Sequence, residues 1–470
     1  MEIQHSRATH RFLGGLCFLS ALCEGFDVQA AGVAATGIAR ELHCTPADLG
    51  LFFSATGIGL LIGSALGGTI ADRRGRKLVL VASISVFGAF SLLTSIMPNL
   101  SLLVGARFLT GLGLGGAMPN LIAMAVETSA PGVRNRSVGI AYIGMPIGGS
   151  LASVLAFFIP SEAWRDLFRV GGLAPLLIVP ALMYFLPNNR SAPTSPPRTL
   201  GFADSVQQLL GKGRVAQTLL LWLSFFLIVL ILHLMLNWLP FLLTARGVTK
   251  DSAMLAQAGF SMGGAVIALK QAAVLDSSRR WRSILISIGA LPLVLVCAAL
   301  LPAWPAPLVL TSLLLGGAIL AQQVIVYAAG SVLYAEEARG TGLGAAVAVG
   351  RVGSLAGPLF SAALLASGRN ASQVMLDVLP IALASGACVG LVSRTRRSIS
   401  PALEPTPSLF RCGLANERTG PQTARSPKGK RDGHELSSDN VRQQPPFKRG
   451  VFGGIRSRNQ KSLKLPAYSE

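Results

Sequence analysis

Runs of about twenty apolar residues, separated by short polar stretches, recur along the whole 470-residue chain until about residue 392. At a helical rise of 1.5 Å per residue, one such run crosses a hydrocarbon core about 30 Å thick. The pattern predicts twelve membrane-spanning helices, near residues 13–37, 49–70, 78–97, 101–125, 137–159, 169–186, 217–243, 252–275, 283–302, 306–331, 341–367 and 373–392. The first run, from about Phe12, is long and has no small-residue cleavage site after a short core, so it reads as a retained helix rather than a signal peptide.

The polar stretches alternate in charge. Those after even-numbered runs carry Arg73, Arg74, Arg76 and Lys77, then Arg134 and Arg136, then Arg190, Arg198, Lys212 and Arg214, then Arg279, Arg280 and Arg282. Those after odd-numbered runs, such as "SIMPNLS" and "LLPAWPAP", are nearly free of Lys and Arg. Basic loops stay in the cytoplasm, which places both termini there and makes the chain an all-α, multi-pass protein of the cytoplasmic (inner) membrane.

The organisation expected is a six-helix bundle over residues 1–186, a cytoplasmic central loop over 187–216, a second six-helix bundle over 217–392 and a basic tail over 393–470. The central loop has linker-type Pro and Ser and a short amphipathic stretch near Phe202–Leu210. The two halves echo each other: "GGTIADRRGRK" after the second run and "LDSSRRWR" after the eighth set Asp72 and Asp276 at an offset of 204, and Arg134 and Arg339 stand 205 apart. Two features at nearly one offset predict a duplicated six-helix unit.

Composition narrows the function. With 51% hydrophobic and 13% charged residues the chain is no ordinary soluble domain. The net charge of +20 suggests a polyanion binder until it is located: residues 393–470 hold 16 Lys/Arg against 6 Asp/Glu, half of the excess, and most of the rest lies in topology-setting loops. Nucleic acid is therefore not an expected partner, and the tail, which has no apolar periodicity, is expected to be disordered. The six cysteines form no CxxC pair, and no Walker loop, metal-ligand spacing or G-x-S-x-G nucleophile is present. No cofactor, metal or enzymatic activity is expected, and the chain is expected to act as a monomer in the bilayer.

The stretch "LCEGFDVQAAG" puts Glu24 and Asp27 inside the first apolar run. An acid at membrane depth is costly unless paired, hydrated or neutralised, and marks transport or proton movement. The two are three residues apart, hence on one helix face, near mid-membrane. In the fourth run Arg107 stands near the level of Asp27, so a compensating pair is geometrically available. Arg351 in the eleventh run is near the midplane and, were the cargo an anion, would be the cation to oppose it, with Arg107 as the second candidate. Were the cargo to carry a ring, Phe52, Phe53, Tyr142, Gln322, Gln323, Tyr327, His233 and Asn237 would supply aromatic walls and polar groups, with Tyr327 and Gln323 joining Arg107 and Arg351 as candidate substrate contacts.

With its glycines, helix-end Asp and basic cluster, "GGTIADRRGRK" resembles the loop signature of the major facilitator superfamily, whose fold is two six-helix bundles around a central substrate path. The resemblance covers roughly residues 10–392. It implies a gating role for Asp72, Arg73 and Arg76, and places Glu127, Arg134 and Arg339 in the family's charged cytoplasmic network. The second-half loop departs from the signature: Ser277 and Ser278 replace the usual Arg and an adjacent residue, the Gly is missing and Trp281 occupies a basic position.

"EGFD", "RFLTGLGLGGAMPN" and "GRVGSLAGP" resemble the aromatic acid:proton symporter branch, in which the first-span pattern is usually Asp-Gly-x-Asp; here Glu24 replaces the first acid. The wording "CEGFDVQAAGVAATGIARE" is similar to branch members that carry 3-(3-hydroxyphenyl)propionate. The resemblance implies import of a small aromatic carboxylate with protons by alternating access, Asp27 or Glu24 carrying the proton. Two alternatives stay open. The run "GIAYIGMPIGGSLA" resembles a span-five motif of antiporters and suggests efflux, and the basic tail suggests a sensor of aromatic acids that does not transport.

Overall fold

The computed structural model describes residues 7–127, 134–186, 211, 215–275, 277–302, 304–334 and 336–399. The expected amphipathic stretch in the central loop, the Asp276 position and residues 400–470 of the tail lie outside the described residues, while the tail's first residues, 393–399, continue the last helix instead of being disordered. The described helices all belong to one compact unit.

Every described element is helical: α1 (Arg7–Glu41), α2 (Pro46–Arg74), α3 (Arg76–Thr94), α4 (Leu100–Glu127), α5 (Arg134–Phe158), a short 3-10 turn (Ser161–Ala163), α6 (Arg165–Phe185), α7 (Val215–Ala245), α8 (Lys250–Leu275), α9 (Arg280–Leu300), α10 (Pro305–Leu333), α11 (Glu336–Ala366), α12 (Ala371–Asp377) and α13 (Leu379–Ile399). Twelve spans are long and apolar enough to cross a membrane, the last made of α12 and most of α13. Backbone groups satisfied within each helix allow such segments to sit in hydrocarbon.

The helix ends fall on two sides. One end, termed the base, carries the α2–α3 turn; the other, the roof, carries the α1–α2 turn. At the base Arg76 pairs with Glu127, and the Lys77 ammonium donates to the Leu186 carbonyl at 2.6 Å, joining the ends of α3, α4 and α6. At the roof Arg165 reaches Glu41 at 3.0 Å and the Met97 carbonyl at 3.0 Å, while Trp164 donates to Glu41 at 2.6 Å. Gly75 makes the α2–α3 reversal in a single residue because its φ of +97° is open to glycine and strained for other residues. The signature loop thus needs its glycine for backbone geometry.

The internal repeat appears as one contact pattern used twice. In the first six helices α2 packs on α4, α1 on α5 and α3 on α4; six helices later α8 packs on α10, α7 on α11 and α9 on α10. Between the halves α2 packs on α11 and α5 on α8, which are the same pairing exchanged by the pseudo-two-fold, and α1 packs on α7. Two pseudo-symmetric six-helix bundles result.

Within the first bundle the α1–α5 seam is set by glycine. A Cβ on Gly148 would fall inside the contact distance of the Leu22 carbonyl, and one on Gly25 inside that of the Met145 carbonyl, so the backbones touch where any side chain would part them. Gly148→Ala is expected to destabilise the protein by about 1–3 kcal/mol through overpacking, read as a lower thermal midpoint of the purified protein.

The bundles are joined mainly toward the roof. Inter-bundle hydrogen bonds run from Ser54 to the Leu355 carbonyl (3.3 Å), from Ser150 to the Ala258 carbonyl (3.4 Å), from Gln29 to the Leu236 carbonyl (3.1 Å) and from Lys250 to the Ile159 carbonyl. Phe53 of α2 meets Trp238 of α7 edge to face at 5.3 Å. One apolar cluster spans both halves there, from Ala30, Ile38 and Phe52 to Leu234, Trp238 and Leu242. A second cluster, with Leu13, Cys17, Ile84, Leu114 and Met124, belongs to the first bundle alone and lies on its base side. The roof is therefore shut.

Candidate functional site

Five polar side chains meet at mid-depth between the bundles: Glu24 from α1, Tyr142 from α5, His233 from α7, Tyr327 from α10 and Arg351 from α11. Arg351 lies in electrostatic range of the other four, and the Tyr142 and Tyr327 side chains interact across the gap between bundles. Tyr142 is 44% exposed although it sits well inside a span. Because it faces Tyr327 of the other bundle, that exposure is to the inter-bundle path rather than to lipid. Phe225 packs edge to face on Tyr327 at 4.8 Å, giving the site an aromatic wall.

Glu24 is 3% exposed and its Oε2 has no hydrogen-bond partner. A buried carboxylate oxygen without a donor is costly, so Glu24 is the group here with an unmet demand. His233 turns Nδ1 to the Val229 carbonyl at 3.0 Å, so that nitrogen carries the proton and Nε2 is the ring's acceptor.

Asp27, one turn further along α1, is in a different situation. Its Oδ2 accepts from Arg107 Nη1 at 2.9 Å and its Oδ1 accepts from the Ser91 hydroxyl, with both partners of the ion pair at 0% exposure. Arg107 Nε donates to Thr56 at 3.1 Å, and the guanidinium lies 5.9 Å from the Phe52 ring and 5.5 Å from the Phe168 ring. In this conformation Arg107 faces the interior of the first bundle, not the path between bundles. Ordered as a candidate substrate contact by its depth, it is placed by the structure in a dry ion pair.

The remaining expected residues sort by position. Gln322 donates to the Ser287 carbonyl at 3.0 Å and accepts from Ser385 at 3.2 Å, so it serves the second bundle's core. Gln323, a further 100° around α10, is half-buried. At the base Arg76 and Glu127 are brought together, whereas Asp72 and Arg73 are exposed and meet no oppositely charged side chain among the described residues. Arg134 and Arg339 stand in the first turns of α5 and α11; their side chains lie outside the described residues. Among the described residues no cluster of His, Cys, Asp and Glu suits a metal ion.

Two residues that the sequence reading passed over stand directly above this site. Gln29 and Gln257 hydrogen-bond each other across the seam at 2.9 Å, each at most 1% exposed. A neutral amide in an apolar helix gives a weaker signal than an acid; two glutamines in helices otherwise lined with small residues were the available sign.

A charged cluster enclosed between two pseudo-symmetric membrane bundles, shut at one end, defines a membrane transporter rather than an enzyme. The sequence bears this out at the level of ancestry: residues 17–358 match the Major Facilitator Superfamily, and the chain belongs to that family. It is 39% identical over 402 residues to the 3-(3-hydroxy-phenyl)propionate transporter of Escherichia coli (strain K12), covering 83% of this chain and 96% of that one. It is 32% identical over 411 residues to the 4-hydroxybenzoate transporter PcaK of Pseudomonas aeruginosa, covering 80% and 92%. Among solved structures it shares its fold with a bacterial homolog of the human lysosomal transporter Spinster, in an inward-facing and unoccupied conformation, with a TM-score of 0.69 at 16% identity over 84% of this chain and 99% of that one.

Proposed function

We propose that the protein imports a hydroxylated aromatic carboxylate, 3-(3-hydroxyphenyl)propionate or a close analogue, together with protons across the cytoplasmic (inner) membrane. The observation that carries this is Arg351 set against an unsatisfied Glu24 at mid-depth between the bundles. The names of the relatives support the aromatic acid class, and the Tyr142, Tyr327 and Phe225 rings suit an aromatic cargo.

Glu24, rather than Asp27, carries the proton in this reading. Both Asp27 oxygens are committed to donors inside the first bundle, whereas Glu24 leans on a cation of the other bundle. An incoming carboxylate competes with Glu24 for Arg351. Once displaced, Glu24 is a buried charge without a cation, and taking up a proton removes that cost. With both carboxylates answered, the bundles can rock about the fixed site and release acid and proton on the far side. The base is then the cytoplasmic end, where Asp72, Arg73, Arg76, Glu127, Arg134 and Arg339 form the gate. Residues 1–186 and 217–392 move as the two bodies of a monomer, linked by 187–216, with 393–470 outside the transport cycle.

Gly144 and Gly148 of "GIAYIGMPIGGSLA" seat α5 on α1, a packing role that serves import as well as export. Glu24→Gln is the test of coupling. It is expected to abolish uncoupler-sensitive accumulation while keeping exchange of labelled for unlabelled acid in preloaded vesicles, because a permanently neutral residue still allows the bundles to rock. Accumulation at the wild-type level would remove Glu24 from the coupling role.

A further inference from the structure

The roof seam holds a polar chain that the transport cycle above leaves unused. Gln29 of α1 donates its amide to the Leu236 carbonyl of α7 at 3.1 Å, and Gln257 of α8 donates to the Gln29 amide oxygen at 2.9 Å. A backbone carbonyl can only accept, and this fixes the direction of the whole chain. Gln29 must turn its nitrogen to Leu236 and its oxygen to Gln257, which in turn must offer its nitrogen. The chain therefore ends on Gln257 Oε1, an acceptor buried with no hydrogen-bond partner.

One turn along α8, Ser261 Oγ is also buried and without a partner. Residues four apart share a helix face, so the two unmet oxygens are neighbours in kind and place. A Cβ on Gly149 would lie 3.3 Å from Ser261 Oγ and 3.5 Å from Gln29 Cβ, which sets the pair at the junction of α1, α5 and α8. An oxygen that only accepts, beside a hydroxyl that both donates and accepts, is complementary to one O–H group: that group donates to Gln257 and accepts from Ser261.

The level is right for a ring substituent. Gln29 stands five residues roofward of Glu24, about 7.5 Å at helical rise, and Ser261 lies one turn nearer the Glu24 level than Gln257 does. We propose that Gln257 and Ser261 form the subsite that reads the ring hydroxyl of an aromatic acid whose carboxylate is held at Arg351. This rests on the transport reading above. The seam is shut over the pair in this conformation, so the hydroxyl meets it as the bundles part at the roof. Closing around a hydroxyl satisfies two oxygens that closing empty leaves unpaired, and a site of this kind discriminates against the analogue that lacks the group.

The test compares initial uptake of labelled 3-(3-hydroxyphenyl)propionate and 3-phenylpropionate by cells expressing the full chain. The wild type favours the hydroxylated acid; the ratio of Vmax/KM values falls about fivefold in Ser261→Ala and about tenfold in Gln257→Met. Ser261→Ala keeps the Gln29–Gln257 bond, so it separates hydroxyl recognition from the strength of the seam. A ratio unchanged in both variants, including equal losses for both acids, overturns the subsite and leaves the transport reading standing. Uptake of neither acid by the wild type overturns the transport reading and the subsite together.

Discussion

Arg351→Ala is expected to lower uptake of 3-(3-hydroxyphenyl)propionate by about a hundredfold or more, with the carrier still inserted in the membrane. The magnitude follows from truncating one partner of a desolvated charge pair, which costs about 2–5 kcal/mol and leaves the substrate carboxylate unanswered. Arg351 is half-buried and acts on Glu24, Tyr142, His233 and Tyr327, whereas Arg107 is held by Asp27 and Thr56 inside the first bundle with only its Nη2 unpartnered. Arg351→Lys keeps the charge and loses the planar fork, and a weakened but measurable uptake is expected of it. The check is concentration-dependent uptake normalised to surface protein. Near-normal KM in the Ala variant would remove Arg351 from the site.

The second large effect falls on folding. Asp27→Asn leaves the Arg107 guanidinium charged in a dry pocket between Phe52 and Phe168, and breaking one side of such a pair costs about 3–5 kcal/mol. A lower thermal midpoint and a smaller yield of folded carrier are expected, with uptake falling in proportion to the protein lost. The double variant Asp27→Asn with Arg107→Met removes both charges and should recover most of the stability, since an apolar replacement of the whole pair is close to neutral. If Asp27→Asn folds with full stability yet fails only in accumulation, the ion pair is not structural, and Asp27 is the coupling acid after all.

Much of the fold was legible because a bilayer permits few solutions. Twelve apolar runs gave twelve spans, and the offset of about 204 residues foretold the contact pattern repeated six helices later. Most helices came out longer than their apolar runs, α3 excepted: α1 extends over Arg7–Glu41 rather than 13–37, because polar ends continue the helix into the headgroup zone. The break in the last span at Val378 lies between Asp377 and Pro380, a charged residue and a proline that cannot donate into the preceding turn, and a reading by apolar runs alone passed over both.

The site was legible only where it could be read along one helix or between helices of one bundle. Counting residues brought Asp27 level with Arg107, and the structure does join them. The same counting could not say which way Arg107 faces, because that depends on Thr56, Ser91 and Phe168 from three other helices. The nearness of Glu24 to Arg351, and the Gln29–Gln257 bond, depend on how one bundle rests on the other. No pattern within a single run encodes that.

Accumulation of labelled 3-(3-hydroxyphenyl)propionate by cells expressing this chain, with and without a protonophore, tests the central claim most directly. Concentrative uptake that collapses with the protonophore, and that cells lacking the chain do not show, is the predicted result. Accumulation indifferent to the protonophore, or no accumulation of this acid by correctly inserted protein, would contradict it.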